Sequence, residues 1–244
     1  MNLIRLFCLV LVSGFSAACA STPEASEAND PFEPINRAVF QFNDAADRAI
    51  VGPAARAYAD VTPQPAQRSV RNFFTNLNRP VVLANTLLQG DLNRSSDVLL
   101  SFITDTTFGL GGLLSLAEAN GVAQHNEDFG QTLAVWGAPE GPYIMLPLIG
   151  PSNVRDGAGR FVDRYPHPFN WNDEFTQSGE AWALRTVNGL RLRADAETAF
   201  ATLDRTAIDP YSQMRSAYRQ MRDDQIRNGN GDDDAAFDDL PDFD

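Results

Sequence analysis

Lysine is absent from this 244-residue chain: all 19 basic residues are arginine, which we read as genomic codon bias rather than a functional signal. Against 32 acidic residues they leave a net charge of −13. A chain this acidic offers no basic footprint for phosphate backbones, so nucleic acid is excluded as a partner. No apolar run approaches the roughly 20 residues that a spanning helix needs. Catalytic signatures are missing too: there is no Gly-x-Ser-x-Gly elbow, no His-Glu-x-x-His and no phosphate-cradling loop ending in Lys-Ser/Thr. Gly109-Leu110-Gly111 begins like a dinucleotide fingerprint but lacks its third glycine. Of the two histidines, His125 stands near Glu127 and Asp128, which invites a metal or acid–base role, yet no third well-spaced ligand follows. His167, between Pro166 and Pro168, reads as a loop residue, and the pairs Asp173-Glu174 and Asp223-Asp224 as solvated faces. Nothing in the chain asks for catalysis, a metal or a cofactor.

What is present begins at the N-terminus. Arg5 precedes the short apolar run Leu6–Val12, and small residues follow up to Ala18, the order of an export signal over residues 1–18. Its removal leaves Cys19 as the one thiol, so no intramolecular disulfide is expected. Ser16-Ala17-Ala18-Cys19 resembles the lipobox of bacterial lipoproteins, which implies a diacylglycerol on Cys19. Ser16 stands where that motif usually has Leu, which leaves open ordinary cleavage with Cys19 removed or unmodified. A multi-chain lipid makes a stable anchor, at about 0.8 kcal/mol per buried CH₂. The small, polar residues 19–29 read as a tether. From Gly231 onward seven aspartates face no basic residue, so residues 231–244 read as a disordered acidic tail.

Between tether and tail the pattern is helical. Ile35, Val39, Phe42, Ala46 and Ile50 recur every three or four residues behind Pro34. Val70, Phe73, Phe74 and Leu77 mark a second helix, which Arg79-Pro80 is expected to stop. A third is expected over 81–88, closing at Gly90, and a fourth over 95–106. Asp209-Pro210 opens a last helix with Tyr211, Met214, Tyr218, Met221 and Ile226 on one face and Gly229 at its end. No alternation supports a large sheet, so the fold class is mainly α.

Two segments break this pattern. Residues 108–116, with Phe108, Leu110, Leu113 and Leu114, are apolar on nearly every side; such a stretch is either buried core or membrane-facing. Residues 137–151 carry Gly137, Gly141, Pro142, Pro147 and Gly150 around the apolar Tyr143-Ile144-Met145-Leu146. The prolines exclude a regular helix, leaving an apolar loop or hairpin, either a contact site or a core connection.

The ordered motifs point to a family. Asp30-Pro31-Phe32-Glu33-Pro34-Ile35-Asn36-Arg37 with Phe40-Gln41-Phe42-Asn43 resembles the start of the mature MlaA/VacJ outer-membrane lipoproteins. Similar matches follow at Arg71–Leu77, Leu88-Gln89-Gly90, Phe129–Leu133, Gly141-Pro142-Tyr143, Leu146-Pro147, Gly150-Pro151-Ser152, Arg155-Asp156 and Asp209-Pro210-Tyr211. The resemblance spans residues 30–230. It implies a ring-like single domain of amphipathic helices embedded in the outer membrane around a channel. By the same resemblance the domain removes mislocalised phospholipid from the outer leaflet, passes it to a periplasmic carrier protein and associates with trimeric porins. Gly137, Gly141, Pro142, Tyr143, Leu146, Pro147 and Gly150 would form a gating loop beside the channel, and Phe108, Leu110, Leu113 and Leu114 a lipid-facing rim. The rival readings are a structural porin or envelope accessory that moves no lipid, and a hydrolase built on His125 and Asp128 with an unidentified serine.

Overall fold

Pro34 sets the first turn of helix α1 (Glu33–Ala46), where a missing backbone donor costs nothing. The computed structural model describes residues 29–228; the signal segment, Cys19, the acidic tail and Gly229 lie outside them. α1 runs through a π turn (Asp47–Val51) into α2 (Gly52–Val61). The wide turn falls where Pro53 removes a donor, so the helical path continues through a local loosening of the ladder.

α3 covers Gln64–Leu88 as one helix of 25 residues with Pro80 inside it. The expected stop at Arg79-Pro80, and the separate third helix after it, are therefore corrected. Tertiary packing overrides the local breaker. Asn76 donates to Thr106 at 2.9 Å and Arg79 to Asp105 at 3.0 Å, pinning the turn ahead of the proline to the antiparallel helix α4 (Leu92–Thr107), and Thr86 is held to the same helix beyond it. Small polar residues fill the seam, with Ser95 Oγ donating to Thr86 Oγ1 at 3.0 Å. A short α5 (Leu116–Ala119) and α6 (Phe129–Val135) follow.

The 137–151 segment is a two-stranded antiparallel hairpin, β1 (Tyr143–Leu146) and β2 (Gly150–Asn153), with Tyr143 opposite Asn153. α7 (Val154–Val162) starts directly from β2, capped by Asn153 Oδ1 accepting from the Asp156 amide at 2.7 Å. A 3₁₀ turn (Pro168–Asn170), α8 (Asp173–Thr176), α9 (Gly179–Asp195), α10 (Glu197–Thr206) and α11 (Pro210–Arg227) complete the domain. Asp209 caps α11 as its sequence announces, while Asn228 in the left-handed region ends it.

The apolar cluster is small: Tyr143, Met145, Tyr211 and Tyr218, with Val39, Phe40 and Met214 against them. Tyr143 meets Tyr211 and Tyr218 edge to face at 6.2 and 6.1 Å. Two buried carboxylates tie this cluster together. Asp30 accepts from Asn36 at 2.8 Å, from Arg215 at 2.8 Å and from the Tyr211 hydroxyl. Asp156 accepts from the Tyr218 hydroxyl at 2.5 Å and from Arg222 Nε at 2.8 Å. The start and end of the domain are thus closed on each other by charge-assisted hydrogen bonds. Among the described residues, fully buried polar side chains outnumber buried apolar ones, and many large apolar side chains lie outside. No described helix is long and apolar enough to cross a membrane.

Candidate functional site

The helices whose polar sides turn inward line a half-open cavity of about 860 Å³, large even among small-ligand sites. α3 contributes Phe74, Asn78, Arg79, Val81 and Val82, and α4 contributes Val98. The loop before α6 supplies Gln124 to Asp128; α7 and the turn after it supply Arg160, Asp163 and Arg164. His167, Phe169 and Asn170 close the 3₁₀ side, and Arg185, Asn188, Arg191 and Leu192 come from α9. Aliphatic and aromatic carbons share this wall with arginines and carboxylates, so it presents apolar and charged surface together.

The carboxylates of the wall are already engaged. Glu127 accepts from Arg94 at 3.0 Å and from Gln89 at 3.0 Å; burial still pushes its carboxyl above the usual range. Burial opposes ionisation of Asp128 as well, but two Arg222 contacts at 2.7 and 3.0 Å outweigh it and hold the carboxyl below the usual range. Asp163 accepts from Asn85 at 2.8 Å and from the Phe129 amide at 3.0 Å, and burial raises it. Arg222 is the element the sequence reading missed. It bridges Asp128 and Asp156 from α11, joining the cavity wall to the tyrosine cluster.

The arginines are engaged unequally. Arg79 pairs with Asp105 in a buried ion pair and donates to Gln124 at 2.8 Å, while its Nε has no partner. Arg191 pairs with Asp195 at 3.1 Å. Arg164 lies over the Phe161 ring, and Arg185 over Phe169 and Trp182.

His125 does not stand with Glu127 and Asp128 as a ligand set: its Nε2 lies 3.0 Å from Asp97, and both acids are occupied by arginines. Among the described residues no group of three His, Cys, Asp or Glu is placed to hold a metal. His167 caps the 3₁₀ turn, its Nδ1 accepting from the Phe169 amide at 3.2 Å. Burial, followed by the Arg185 charge, lowers its pKa. No serine is among the residues that line the cavity.

None of Gly137, Gly141, Pro142, Tyr143, Leu146, Pro147 and Gly150 lines the cavity. The hairpin faces the tyrosine cluster, with Tyr143 and Met145 buried, and α1 grips it from the side. Asn36 accepts from the Met145 amide at 2.9 Å and donates to the Tyr143 carbonyl at 3.0 Å. Asn43 spans the tip, accepting from the Leu148 amide at 2.7 Å and donating to the Leu146 carbonyl at 3.0 Å. Gly137, Gly141 and Gly150 all have positive φ, so the glycines shape the turns. Phe108 and Leu110 are 70 % and 69 % exposed, and Leu113 and Leu114 are also exposed, which decides against the core alternative for that run.

Three comparisons bear on this architecture. The family model described as "MlaA lipoprotein" matches residues 28–225. The chain is 36% identical over 231 residues to the intermembrane phospholipid transport system lipoprotein MlaA of Escherichia coli (strain K12), covering 93% of this chain and 90% of that one. It is 32% identical over 214 residues to the protein of the same name from Haemophilus influenzae, covering 85% and 83%. A solved structure described as "Structural basis for maintenance of bacterial outer membrane lipid asymmetry" superposes with a TM-score of 0.69 at 32% identity, covering 81% of this chain and 98% of that chain. By its family match, its identity to these relatives and its superposed fold, the chain belongs to the MlaA lipoprotein family.

Proposed function

We propose that this protein is an outer-membrane lipoprotein of intermembrane phospholipid transport, which keeps the outer membrane's lipids asymmetric by moving phospholipid through the cavity. The observation that carries the reading is the inverted dressing of the helices. On α4, Ser95, Ser101 and Asp105 are buried while Leu99, Leu100 and Ile103 are exposed. A helix with its apolar face outward is stable where that face meets hydrocarbon rather than water. Phe108, Leu110, Leu113 and Leu114 extend the same exposed surface and would face lipid with it.

A phospholipid carries a charged head that hydrocarbon rejects and tails that water rejects. A cavity with arginines and apolar side chains on one wall gives the head a route past the apolar surface. Lipid attached at Cys19 and an embedded body place the cavity at bilayer height, and the lipid moves from the outer leaflet toward a periplasmic carrier protein, with trimeric porins beside the domain. The hairpin acts on passage indirectly: β2 runs straight into α7, which carries Arg160.

The test is phospholipid exposed on intact cells, measured with an amine-reactive probe that does not cross the membrane. Deleting the protein should raise probe-reactive phosphatidylethanolamine, and the wild-type gene should restore it. An unchanged level, with porin association intact, would instead favour the structural accessory.

A further inference from the structure

The cavity's two kinds of charge differ in what they have left to offer. Each acidic group on the wall is occupied: Glu127 by Arg94 and Gln89, Asp128 by Arg222, Asp163 by Asn85 and the Phe129 amide. Three of the basic groups are not neutralised. Arg160 in the last turn of α7, Arg164 just beyond it and Arg185 on α9 line the cavity without an ion pair to any described carboxylate, Arg185 donating only to the Thr176 carbonyl at 3.2 Å. Arg79 adds a buried Nε without a partner. In a chain of net charge −13, this half-open cavity is lined by five arginines and three acidic residues and so carries a surplus of positive charge.

We propose that Arg160, Arg164 and Arg185 select phospholipids whose head group bears net negative charge over zwitterionic ones. The inference rests on the lipid-conduit reading and adds its specificity. A guanidinium fork matches two phosphate oxygens. A head group such as phosphatidylglycerol brings that phosphate without a cation. Phosphatidylethanolamine brings the same phosphate plus an ammonium, which the three arginines repel and to which the wall offers only carboxylates already hydrogen-bonded within the protein.

Full-length lipidated protein in nonionic detergent is incubated with phosphatidylglycerol and phosphatidylethanolamine in equal amounts, re-isolated, and its retained lipids quantified by mass spectrometry. Wild type should retain phosphatidylglycerol with about threefold enrichment, weakening as salt rises. Arg160→Gln/Arg164→Gln/Arg185→Gln should retain a similar total of lipid with the ratio near one. The corresponding lysine variant should keep most of the enrichment, because the charge remains. Arg68→Gln/Arg205→Gln/Arg227→Gln removes equal charge outside the cavity and should behave as wild type. Inorganic phosphate at the concentration of the lipid phosphate should leave the enrichment in place; displacement at that level would assign the arginines to free phosphate and overturn the proposal. Retention by wild type in the input ratio, or equal loss in both glutamine variants, would also overturn it. Retention of no lipid at all would instead overturn the conduit reading beneath it.

Discussion

Arg37 shows how single residues close this domain. It donates to Asp209 at 2.6 and 3.1 Å, to Glu33 at 2.7 Å, and lies 4.5 Å from the centre of the Tyr211 ring. Arg37's hydrogen bonds hold the Asp209 carboxyl well below the usual carboxylate range, against a smaller opposing effect of burial. A carboxyl depressed in the folded state adds stability above its unfolded pKa, about 3.9, and loses it as the pH falls below that value. Wild type should therefore be more stable than Arg37→Gln at neutral pH, and the gap should shrink as the pH drops from about 4 downward. Urea denaturation of both proteins across that range checks it; a gap independent of pH would show that the pair contributes nothing electrostatic. The Asp209-Pro210-Tyr211 motif was legible in sequence as a helix start. Its bond to Arg37 was not, because 172 residues separate the partners.

At the scale of elements, the hairpin joins sequence signals to function. Its glycines and prolines exclude a helix in any context, so a loop or hairpin was readable. Which side it turns inward was decided by α1, through Asn36 and Asn43, and by the tyrosines of α11. Gly141 has φ +69°, and an added Cβ would sit 3.1 Å from Val154 Cβ at the start of α7. Gly137 has φ +87° with nothing within 4 Å of that position. Both Gly→Ala changes should cost about 1 kcal/mol through the backbone. Only Gly141→Ala should also displace α7, and raise outer-leaflet phospholipid at near-normal protein abundance. Equal lipid levels in the two variants would disconnect the hairpin from passage. Pro80 teaches the opposite lesson. Its local rule was sound, yet Asn76 and Arg79 before it and Thr86 after it are bound to α4 and carry α3 through it.

For the molecule as a whole, the inverted faces predict how it responds to surface change. Replacing Leu99, Leu100 and Ile103 by serine in a Cys19→Ala background should release the protein from washed outer membranes. Its unfolding free energy in detergent should move by less than about 1 kcal/mol, since exposed positions carry little of the packing. Fractionation and denaturation together check this; a large loss of stability would mean that these side chains pack against protein. The sequence by itself determined the helical period, the capping residues, the acidic charge and the family, because each is written in neighbouring residues or in motifs of fixed spacing. The direction of each amphipathic face belonged to the tertiary structure. Periodicity gives a helix two sides and is silent on which one turns inward. Only the folded domain shows that Ser95, Ser101 and Asp105 lie inside, that Leu99 and Ile103 lie outside, and that Arg160, Arg164 and Arg185 share one cavity.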